Sequence, residues 1–555
     1  MRSSGVVEER RCIRMFPRDR EVLVTAALPY VNGECHVGHL RTYVPADIFT
    51  RMLRKLGYEV LFVCGSDTHG TPIVFSAEAE GVSPKEIVER YHEHFQRIFN
   101  ALGINFDYYG STDDESNHKR TQEIVRTLIE KGYVYEKKVK LAFCERCNRF
   151  LPDRYVEGKC PYCGEHARGD ECDQGCGRHL EPGEILEPVC KICGSAATFK
   201  ERTHYYFKLS AFASQLEDFL RNLDGTPNAR NYALEWVRRE LKDWCITRDL
   251  DWGVKFPSRE DLVVYVWVDA PIGYISFTEE ALKRKSDRWE QEWREIWKES
   301  KATIVHFIGT DIIYHHCIFW PAMLIAAEYS LPDAVVASGM VTINGKPLSK
   351  SRGNVVWVAD FLKKFHADTL RYFLVSHSSH TKELDFSWDA FKTRVNNELV
   401  AILGNLALRV LSFAQKHFGA VPEGELHEEV LARIQTAREE AVKAIFAYDF
   451  KKFVDASMKL ADFANKYFQR EEPWHLIKGG EAERKRCGEI VKNTLQLLKA
   501  VCVLLEPVMP SKMEELWSQL GMDSDIHAVG IEEMTVPLKS GQPLGKPKKL
   551  FERVP

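Results

Sequence analysis

The sequence predicts an α/β fold with a parallel sheet, interrupted by a cysteine-rich insertion and followed by an all-α helical bundle. Runs of β-branched and apolar residues, typical of buried parallel strands, occur on both sides of the insertion. These runs lie at 21–27, 58–64, 303–311 and 334–345. Eight of the 15 cysteines fall between Cys144 and Cys193. From about Asp389 onward, apolar residues recur at spacings of three and four, which is typical of amphipathic helices.

Length and composition predict a folded, multidomain enzyme. The chain has 555 residues, of which 45% are hydrophobic and 28% charged. Its formal net charge of −4 means that any nucleic-acid site must be a local basic patch. The apolar runs are shorter than the roughly 20 residues of a membrane span, and the first 20 residues lack the apolar core of a secretory signal. We therefore expect a cytoplasmic protein without membrane contact.

The first strand, at 21–27, runs into a loop and then a helix from about His36 to Leu56. His36 and His39 are three residues apart on the first helical turn and so face the same way, and Gly38 leaves a gap between them. A strand-to-helix junction of this kind stabilises polyphosphates through free N–H groups and the helix dipole. The two histidines could donate to an α-phosphate, although such a pair alone is more often a surface or metal pair.

The second strand, at 58–64, arrives at the distance that a βαβ unit requires and completes a Rossmann-type arrangement. Asp67 follows it at the carboxyl edge of the sheet, where a carboxylate suits a substrate ammonium group. The later strands belong to the same sheet, so the cysteines interrupt one nucleotide-binding domain. The loop after Gly345 carries Lys346 and Lys350, which can close over phosphates. An ordinary basic surface loop is the alternative.

The clustered cysteines predict structural zinc. They form four short pairs, and each pair is followed by a residue that permits a tight turn. The pairs are Cys144/Cys147, Cys160/Cys163, Cys172/Cys176 and Cys190/Cys193. Sites with four thiolates leave no position open for water, so one or two structural Zn²⁺ ions are expected rather than a catalytic one. Spacing alone does not say which pairs share an ion, and reduced free cysteines are the alternative.

Two motifs give the chain a family resemblance. The sequence HVGH at 36–39 resembles the HIGH signature of class I aminoacyl-tRNA synthetases, and PLSKS at 347–351 resembles their KMSKS loop. From Val22 onward, further blocks resemble the methionyl-tRNA synthetase family. These blocks are ALPYVNGECHVGH, CGSDTHGTPI, YVWVDAPIGYISF, HFIGTDIIYHHCIFWPAML, NGKPLSKSRGN and ANKYFQREEPW. Such enzymes make methionyl-adenylate from L-methionine and ATP with Mg²⁺, then esterify the 3′-terminal adenosine of tRNA(Met).

The resemblance also implies roles for particular residues. The catalytic residues would be His36, His39 and Lys350. The ATP-binding residues would be Gly38, Gly309, Asp311, Lys346, Ser349 and Lys350. The methionine-binding residues would be Leu28, Tyr30, Asp67, Trp267, Ala270, Pro271, Tyr274, Ile312 and His316. Asn405, Arg409 and Trp474 would read the anticodon. The cysteines would nest, with an inner zinc site of Cys160, Cys163, Cys172 and Cys176 and an outer site of Cys144, Cys147, Cys190 and Cys193.

The sequence departs from the family pattern in three places. Pro347 stands where the loop has its first lysine, which leaves open whether Lys346 serves one position earlier. His315 stands where a phenylalanine is expected beside the substrate, which would change packing or the pH response of the pocket. The pair Cys172/Cys176 has one more intervening residue than the commonest zinc-binding pair.

The resemblance suggests a domain plan with no room for an editing domain. The expected parts are an N-terminal extension at 1–20, the Rossmann catalytic domain at 21–133 and 206–340, the zinc-binding connective insertion at 134–205, the KMSKS loop and stem-contact fold at 341–388, the helical anticodon-binding domain at 389–536, and a basic C-terminal tail at 537–555. We expect the tail to return to the catalytic core. Without an appended dimerisation module, we expect a monomer.

Two other classes of function fit parts of the sequence less well. A synthetase for leucine, isoleucine, valine or cysteine is disfavoured by the aromatic pocket, which suits a soft thioether, and for the first three also by the missing editing insert. A zinc-dependent nucleic-acid-binding protein without catalysis is disfavoured by the paired histidine and lysine motifs. Pyrophosphate exchange with each amino acid would separate these alternatives.

Overall fold

A computed structural model describes residues 15–152, 155–172, 174–181, 183–239, 241–349 and 353–555. The catalytic half is built on a six-stranded sheet in which all described neighbours pair in parallel, as predicted. From one edge to the other, its strands are Asp224–Gly225, Ala334–Ser338, Thr303–Gly309, Val22–Ala26, Val60–Ser66 and Tyr108–Ser111. Since every residue of the strand Val22–Ala26 is buried, helices must cover both faces of the sheet.

Alternate residues of the central strand belong to two different cores. Val22 and Val24 face the helix Val37–Lys55, whereas Leu23 faces the helix Val266–Lys285. The other helices of this half are Thr71–Glu80, Pro84–Ala101, Glu115–Glu130, Ala213–Asn222, Pro227–Arg239, Trp289–Trp297 and Trp320–Ala326, with short 3₁₀ turns at Leu209–Phe212 and Thr310–Ile312 and a π-helical turn at His315–Phe319.

The run 334–345, expected to be one strand, is divided between two sheets. Ala334–Ser338 stays in the parallel sheet, whereas Val341–Ile343 pairs with Lys346–Pro347 and Leu384–Phe386 in a small separate sheet. The division comes at Gly339, where a Cβ atom would lie 2.2 Å from the carbonyl oxygen of Lys382. After this turn the chain leaves the parallel sheet at the carboxyl end of the strand and continues to the loop that contains Leu348. Helices Val358–Leu362 and Ala367–Ser376 complete this segment.

The cysteine-rich insertion stands on a two-stranded antiparallel stalk. Val134–Cys144 and Thr198–Phe207 pair from Val134 opposite Phe207 to Phe143 opposite Thr198. Arg149–Phe150 and Trp244–Cys245 extend the stalk sheet, and a second sheet consists of His166–Arg168, Val156–Lys159 and Leu186–Cys190. A third small sheet, of Thr247–Arg248, Arg259–Val264 and Lys255–Phe256, joins the stalk to the catalytic half.

The C-terminal part of the chain, from Trp388 onward, forms the predicted helical domain. Its helices are Trp388–His417, Glu428–Phe446, Phe450–Arg470, Pro473–Leu476, Glu481–Leu505 and Pro510–Gln519, followed by a 3₁₀ turn at Ile531–Met534. The first helix has a π-helical middle at Val395–Gly404. By length and hydropathy alone this helix could span a membrane. In this fold its buried leucines, Leu399, Leu403, Leu406 and Leu411, belong to the largest core of the protein.

A buried ionic network joins the catalytic and helical domains. The side chain of Arg371 is fully buried and donates from Nη2 to Asp47 Oδ2 at 2.6 Å. Arg51 donates from Nε to the same oxygen at 2.9 Å and from Nη1 to Glu506 Oε1 at 2.7 Å. Lys55 lies 3.1 Å from the other oxygen of Glu506. Because Asp47, Arg51 and Lys55 lie on the helix that begins beside His36, the network ties that helix to the helical domain.

The C-terminal tail does not return to the catalytic core as expected. Its described hydrogen bonds go to the helical domain instead. The N–H of Gly545 donates to the carbonyl of Gln519, and the N–H of Val554 donates to Asn396 Oδ1 at 2.9 Å. Phe551 is buried there. The apolar residues of the tail, rather than its lysines, therefore decide where it packs.

Candidate active site

A cavity of about 560 Å³ lies at the carboxyl ends of the central parallel strands. Such a place is where open α/β sheets bind ligands. The nine residues expected around methionine all line it. They are Leu28, Tyr30, Asp67, Trp267, Ala270, Pro271, Tyr274, Ile312 and His316. Of the expected catalytic and ATP-binding residues, the cavity is lined by His36, Gly38, His39, Gly309 and Asp311.

The two histidines are arranged by the start of the helix Val37–Lys55. His36 is the N-cap residue, and its ring stacks on that of His39 with the centroids 3.8 Å apart. The N–H of His36 donates to Nδ1 of His39 at 3.1 Å. Because Nδ1 accepts this bond, the proton of a neutral His39 ring lies on Nε2. His39 is thereby fixed as a donor through Nε2.

The loop that resembles KMSKS reaches the histidine pair. A Cβ atom on Gly38 would lie 2.6 Å from Cδ1 of Leu348 and 3.0 Å from Nδ1 of His36, so only glycine leaves room for this contact. The backbone supports the approach, because the N–H of Val37 donates to the carbonyl of Val356 at 3.0 Å. Lys350 lies outside the described residues. Of its expected partners in the loop, Lys346 is exposed and Ser349 is partly buried, and neither lines the cavity.

Asp67 presents a carboxylate to the cavity from the end of the strand Val60–Ser66. The side chain is buried, and its Oδ1 atom has no hydrogen-bond partner among the described residues. Burial, followed by the nearby charge of Asp269, raises the pKa of Asp67 well above its ordinary value. A cationic group in the cavity would favour the ionised carboxylate and so lower this pKa. The arrangement can therefore accept the ammonium group of an amino acid.

His69 supports the loops around Asp67. Its Nδ1 lies 2.5 Å from Asp269 and its Nε2 lies 3.3 Å from Asp113. Although burial alone would lower the pKa of His69, these two carboxylates raise it to about 9. The hydroxyl of Tyr30 donates to the carbonyl oxygen of His69, which fixes the first loop of the site against the second.

The far wall of the cavity is uncharged and aromatic. The hydroxyl of Tyr274 lies 2.8 Å from Nε2 of His316, whose Nδ1 lies 3.2 Å from the carbonyl oxygen of Ile312. The carbonyl can only accept, so Nδ1 carries the proton and Nε2 accepts from Tyr274. Burial lowers the pKa of His316 to about 4, so its ring is neutral at pH 7. This wall suits an apolar, polarisable side chain.

His315, the residue that replaces the expected phenylalanine, packs as an aromatic ring. It stacks on Trp267 with centroids 3.6 Å apart and planes 13° apart. Burial lowers its pKa well below the ordinary value for histidine. The substitution therefore preserves a flat, neutral surface. His315 and His316 are the first two residues of the π-helical turn His315–Phe319, and both are buried.

Gly309 and Asp311 lie where the strand Thr303–Gly309 ends. A Cβ atom on Gly309 would lie 2.4 Å from Oδ1 of Asp311, so glycine is required for this turn. Ser338 ends the neighbouring strand and hydrogen-bonds to Thr42 at 3.1 Å. These small polar groups line the same cavity as Trp267 and His316.

Sequence reasoning missed two charged residues of the cavity wall, Asp170 and Arg248. Arg248 is buried, with its guanidinium 3.8 Å from the ring centroid of Tyr265. Asp170 comes from the insertion, between the second and third cysteine pairs. Neither residue belongs to a motif, and a single charged residue in a short strand or loop is typical of a surface position. The burial of Arg248 is what marks it as a residue of the site, and this burial is known only from the folded structure.

The eight clustered cysteines come together as two sets of four. Within each set the sulfur atoms lie within 4.8 Å of one another. The sets are Cys144, Cys147, Cys190 and Cys193, and Cys160, Cys163, Cys172 and Cys176, the nesting that the resemblance implied. The shortest contacts are 3.4–3.8 Å, close to the separation of about 3.8 Å between sulfurs 2.3 Å from a tetrahedral zinc. The residues present therefore fit two structural zinc ions.

The long spacing of Cys172 and Cys176 has a local cause. Gly175 lies among the sulfurs, where a Cβ atom would be 2.7 Å from Cys163 Sγ and 3.0 Å from Cys172 Sγ. The extra residue is accommodated because it has no side chain. The N–H of Glu165 is the largest influence lowering the pKa of Cys163 to about 7, so this thiol readily becomes the thiolate that zinc requires.

The three residues expected to read an anticodon lie on one side of the helical domain. Asn405 and Arg409 are exposed on the helix Trp388–His417. Arg409 lies 5.1 Å from the ring centroid of Phe468, which meets Trp474 edge-on at 6.0 Å. Glu472 has a positive φ of 45°, and this turn brings the half-buried Trp474 beside Phe468. A cation, an amide and an indole ring are thus presented together.

Comparisons with known proteins agree with this geometry. Residues 22–411 match the family model for class I tRNA synthetases (M), and residues 427–548 match that for the anticodon-binding domain of tRNA ligases. The chain is 58% identical over 543 residues to the methionine–tRNA ligase of Methanothrix thermoacetophila, covering 97% of this chain and 80% of that one. It is 59% identical over 538 residues to that of Methanosarcina acetivorans, covering 96% and 74%.

A solved structure with the same fold contains the expected reaction intermediate. The methionyl-tRNA synthetase of Mycobacterium tuberculosis bound by methionyl-adenylate superposes with a TM-score of 0.80 at 29% identity, covering 96% of this chain and 100% of that one. Fold, motifs and matches define a class I aminoacyl-tRNA synthetase. Within that class, the chain belongs to the methionine–tRNA ligase family. The family predicted from HVGH, PLSKS and the accompanying blocks is confirmed.

Proposed function

We propose that the cavity is where this methionine–tRNA ligase converts L-methionine and ATP to methionyl-adenylate, from which the methionyl group passes to the 3′-terminal adenosine of tRNA(Met). The observation that carries this proposal is the contact between Leu348 and Gly38. It brings the two motifs, distant in sequence, to one end of one cavity. A triphosphate there would meet the histidines on one side and the lysine loop on the other.

Adenylation needs positioning and charge neutralisation more than covalent catalysis. The carboxylate of methionine attacks the α-phosphorus, and pyrophosphate leaves with the electron pair of the broken P–O bond. We assign His36 and His39 to the α-phosphate, where Nε2–H of His39 donates to oxygens that gain charge in the transition state. We assign Lys350 to the pyrophosphate. Gly309 and Asp311 would hold the ribose and adenine side.

For the amino acid, we assign the ammonium group to Asp67 and the thioether to the aromatic wall. Asp67 has an unpaired buried oxygen, and the wall of Trp267, Tyr274 and His316 is neutral. Sulfur makes favourable contacts with ring edges. The S-methyl group, which distinguishes methionine from homocysteine, supplies only about 1–3 kcal/mol of discrimination in an apolar pocket, so chemical editing in the same cavity would complete the selection against homocysteine.

For tRNA, we assign the CAU anticodon to Asn405, Arg409 and Trp474. Unpaired bases stack on aromatic side chains and hydrogen-bond along their edges, which an indole, an amide and a guanidinium provide together. We further propose that both cysteine sets hold structural Zn²⁺, that Mg²⁺ enters with ATP as part of the substrate, and that the enzyme acts as a cytoplasmic monomer. Whether Lys346 replaces the first lysine of the loop can be tested by the rate of exchange in Lys346→Ala.

Amino-acid-dependent exchange of pyrophosphate into ATP tests the proposed reaction. The zinc-loaded, full-length protein is assayed with methionine, leucine, isoleucine, valine and cysteine in separate reactions. Exchange that depends on methionine, and that is far slower with the other four, is the expected result. Exchange with leucine, isoleucine or valine at the same rate would overturn the assignment of the pocket. Absence of exchange with every amino acid would favour a nucleic-acid-binding protein without catalysis.

A further inference from the structure

A cluster of two histidines and one aspartate lies outside the cavity described above. His69 follows the second strand of the parallel sheet, Asp113 follows the strand Tyr108–Ser111, and His118 lies in the first turn of the helix Glu115–Glu130. One nitrogen of each ring and one carboxylate oxygen all lie within 4.8 Å of one another. None of these three residues lines the cavity. The proposed reaction therefore leaves the cluster without a role.

The distances within the cluster are those of a tetrahedral coordination sphere. Oδ1 of Asp113 lies 3.3 Å from Nε2 of His69 and 3.2 Å from Nε2 of His118. Ligand atoms at about 2.0–2.1 Å from a tetrahedral zinc lie about 3.3–3.4 Å apart, whereas charge-assisted hydrogen bonds are about 2.7–2.9 Å long. Although close to this oxygen, Nε2 of His118 is buried and lacks hydrogen-bond geometry to any partner among the described residues. The three atoms are better placed to share a cation than to bond to one another.

Asp269 orients one of the two histidines from the other side. Its side chain is fully buried, and its Oδ2 lies 2.5 Å from Nδ1 of His69. This bond holds the proton on Nδ1 and leaves Nε2 directed toward Asp113. A histidine that binds a metal through one nitrogen commonly donates from the other to a carboxylate, which fixes the ring and raises its basicity. His69 and Asp269 have this arrangement.

The ligand set favours a divalent transition ion such as Zn²⁺. Imidazole nitrogen suits Zn²⁺, whereas Mg²⁺ and Ca²⁺ prefer shells made of oxygen. Three protein ligands leave a fourth position for water. The side chains of Asp113 and His118 are 29% and 33% exposed, so an ion can enter from solvent. With three ligands instead of four thiolates, the site should exchange its ion more readily than the cysteine sets do.

We propose that His69, Asp113 and His118 bind one exchangeable divalent transition ion, distinct from the ions of the two cysteine sets. Binding replaces the Nε2 proton of His69, which passes to solvent. The ion joins the loop of His69 to the helix of His118, and through Asp269 it joins the helix that also carries Trp267. It therefore braces elements that line the cavity while lying outside the cavity itself.

Titration of the zinc-loaded, full-length protein with Co²⁺ tests the proposed site. Co²⁺ binds more weakly than Zn²⁺, so the thiolates keep their zinc. Cobalt held by nitrogen and oxygen shows visible absorption without the charge-transfer band of cobalt thiolates, which separates the two kinds of site. Wild type is compared with His118→Ala and Asp113→Asn. The controls are His417→Ala, an exposed histidine of the helical domain, and Glu115→Gln, an exposed carboxyl on the helix of His118.

We expect one Co²⁺ per chain in the wild type and in both controls. Both His118→Ala and Asp113→Asn should weaken cobalt binding by roughly a hundredfold or more, because loss of a supporting group alone already costs about 10–100-fold. Their zinc content should match the wild type, which shows that the fold is kept. Absence of cobalt binding outside the thiolates in the wild type would overturn the proposal and leave His69 as the partner of two carboxylates. Equal cobalt affinity in the wild type and both ligand variants would also overturn it.

Discussion

At the scale of single residues, the backbone N–H of His36 decides how His39 can act. A ring whose Nδ1 is occupied as an acceptor offers only Nε2–H to a phosphate. This donor is placed before substrate arrives, so little reorganisation is needed when charge develops. The same logic applies to His316, which is held neutral by burial and oriented by Tyr274 and Ile312.

We predict that His39→Ala slows methionine-dependent pyrophosphate exchange by roughly a hundredfold to a thousandfold, because loss of one donor to a developing oxyanion costs about 2.7–4 kcal/mol. The dissociation constant for methionine, measured by intrinsic fluorescence, should change little. The exposed, distant His417→Ala serves as the control and should exchange at the wild-type rate. A wild-type rate in His39→Ala would contradict the assignment.

Asp67 should make methionine binding depend on pH. Burial and Asp269 raise the pKa of this carboxyl above its ordinary value of about 3.9, so the carboxylate that pairs with an ammonium is populated only above the raised pKa. Methionine affinity should therefore fall as the pH is lowered through that pKa, at a pH above 4. Asp67→Asn should bind methionine weakly, with no dependence on pH in this window.

Fluorescence titration of methionine at a series of pH values, from the ordinary aspartate pKa of about 3.9 up to neutral pH, measures this effect. The exposed Asp523→Asn should reproduce the wild-type profile. If Asp67→Asn kept both the wild-type affinity and its pH dependence, another group would have to bind the ammonium.

At the scale of elements, the sequence predicted best where a local pattern decides the structure. The first strand and its helix were expected at 21–27 and from about 36 to 56, and they occur at Val22–Ala26 and Val37–Lys55. The prediction of a single strand at 334–345 was wrong. The chain bends at Gly339, where the carbonyl oxygen of Lys382 leaves no room for a side chain, and this contact cannot be read from the local sequence. The place of Arg248 in the cavity wall and the ionic network at Glu506 could not be predicted either. Both arise only when segments that are separate in the sequence come together in the fold.

Gly175 should be essential to the inner cysteine set. In the fold, Gly175 lies so close to the sulfur atoms of Cys163 and Cys172 that there is no room for a methyl group. We predict that Gly175→Ala lowers the zinc content from about two ions to about one per chain, since the outer set lies on other residues. Metal analysis after dialysis measures the content. Gly480→Ala, where a Cβ atom meets nothing within 4 Å, should retain both ions. Two tightly bound ions in Gly175→Ala would show that the set can rearrange.

The anticodon assignment predicts that the two partial reactions can be separated. Trp474→Ala should reduce charging of tRNA(Met) by roughly fivefold or more, the effect of one lost stacking contact, while exchange of pyrophosphate stays at the wild-type rate. Steady-state aminoacylation at varied tRNA concentration measures this. The neighbouring exposed His475→Ala should charge normally, and Trp474→Phe should recover part of the loss. Equal loss of charging and exchange would refute the role of Trp474.

At the scale of the whole molecule, one buried junction ties the helix that begins at the histidine pair to the helical domain. The helix Val37–Lys55 begins at the pair His36 and His39 and ends beside Glu506 of the helical domain. Arg371 reinforces this junction by donating to the carbonyls of Pro507 and Val508 at 2.7 and 2.9 Å. Charges enclosed in this way fix a geometry, because any shift would leave one of them buried and unpaired.

Glu506 should therefore contribute stability that depends on pH. Burial acts to raise the pKa of its carboxyl, but His527, Lys55 and Arg51 outweigh burial and lower the pKa to about 2. Since the folded pKa lies below the unfolded value of about 4.3, the stabilisation is complete above that value and is lost as the pH falls toward 2.

We predict that Glu506→Gln lowers the free energy of unfolding at pH 7 by about 3–5 kcal/mol, because Arg51 and Lys55 then remain buried with an uncharged partner. Urea denaturation at pH 7 and at pH 3 measures the difference. The gap between wild type and variant should be largest at pH 7 and should narrow at pH 3, because at pH 3 the carboxyl of Glu506 is protonated in the unfolded chain while it is still mostly charged in the folded protein, so part of its stabilisation is lost. The exposed Glu552→Gln should match the wild type at both values. A gap that stayed constant between the two pH values would mean that packing, rather than charge, holds the domains together.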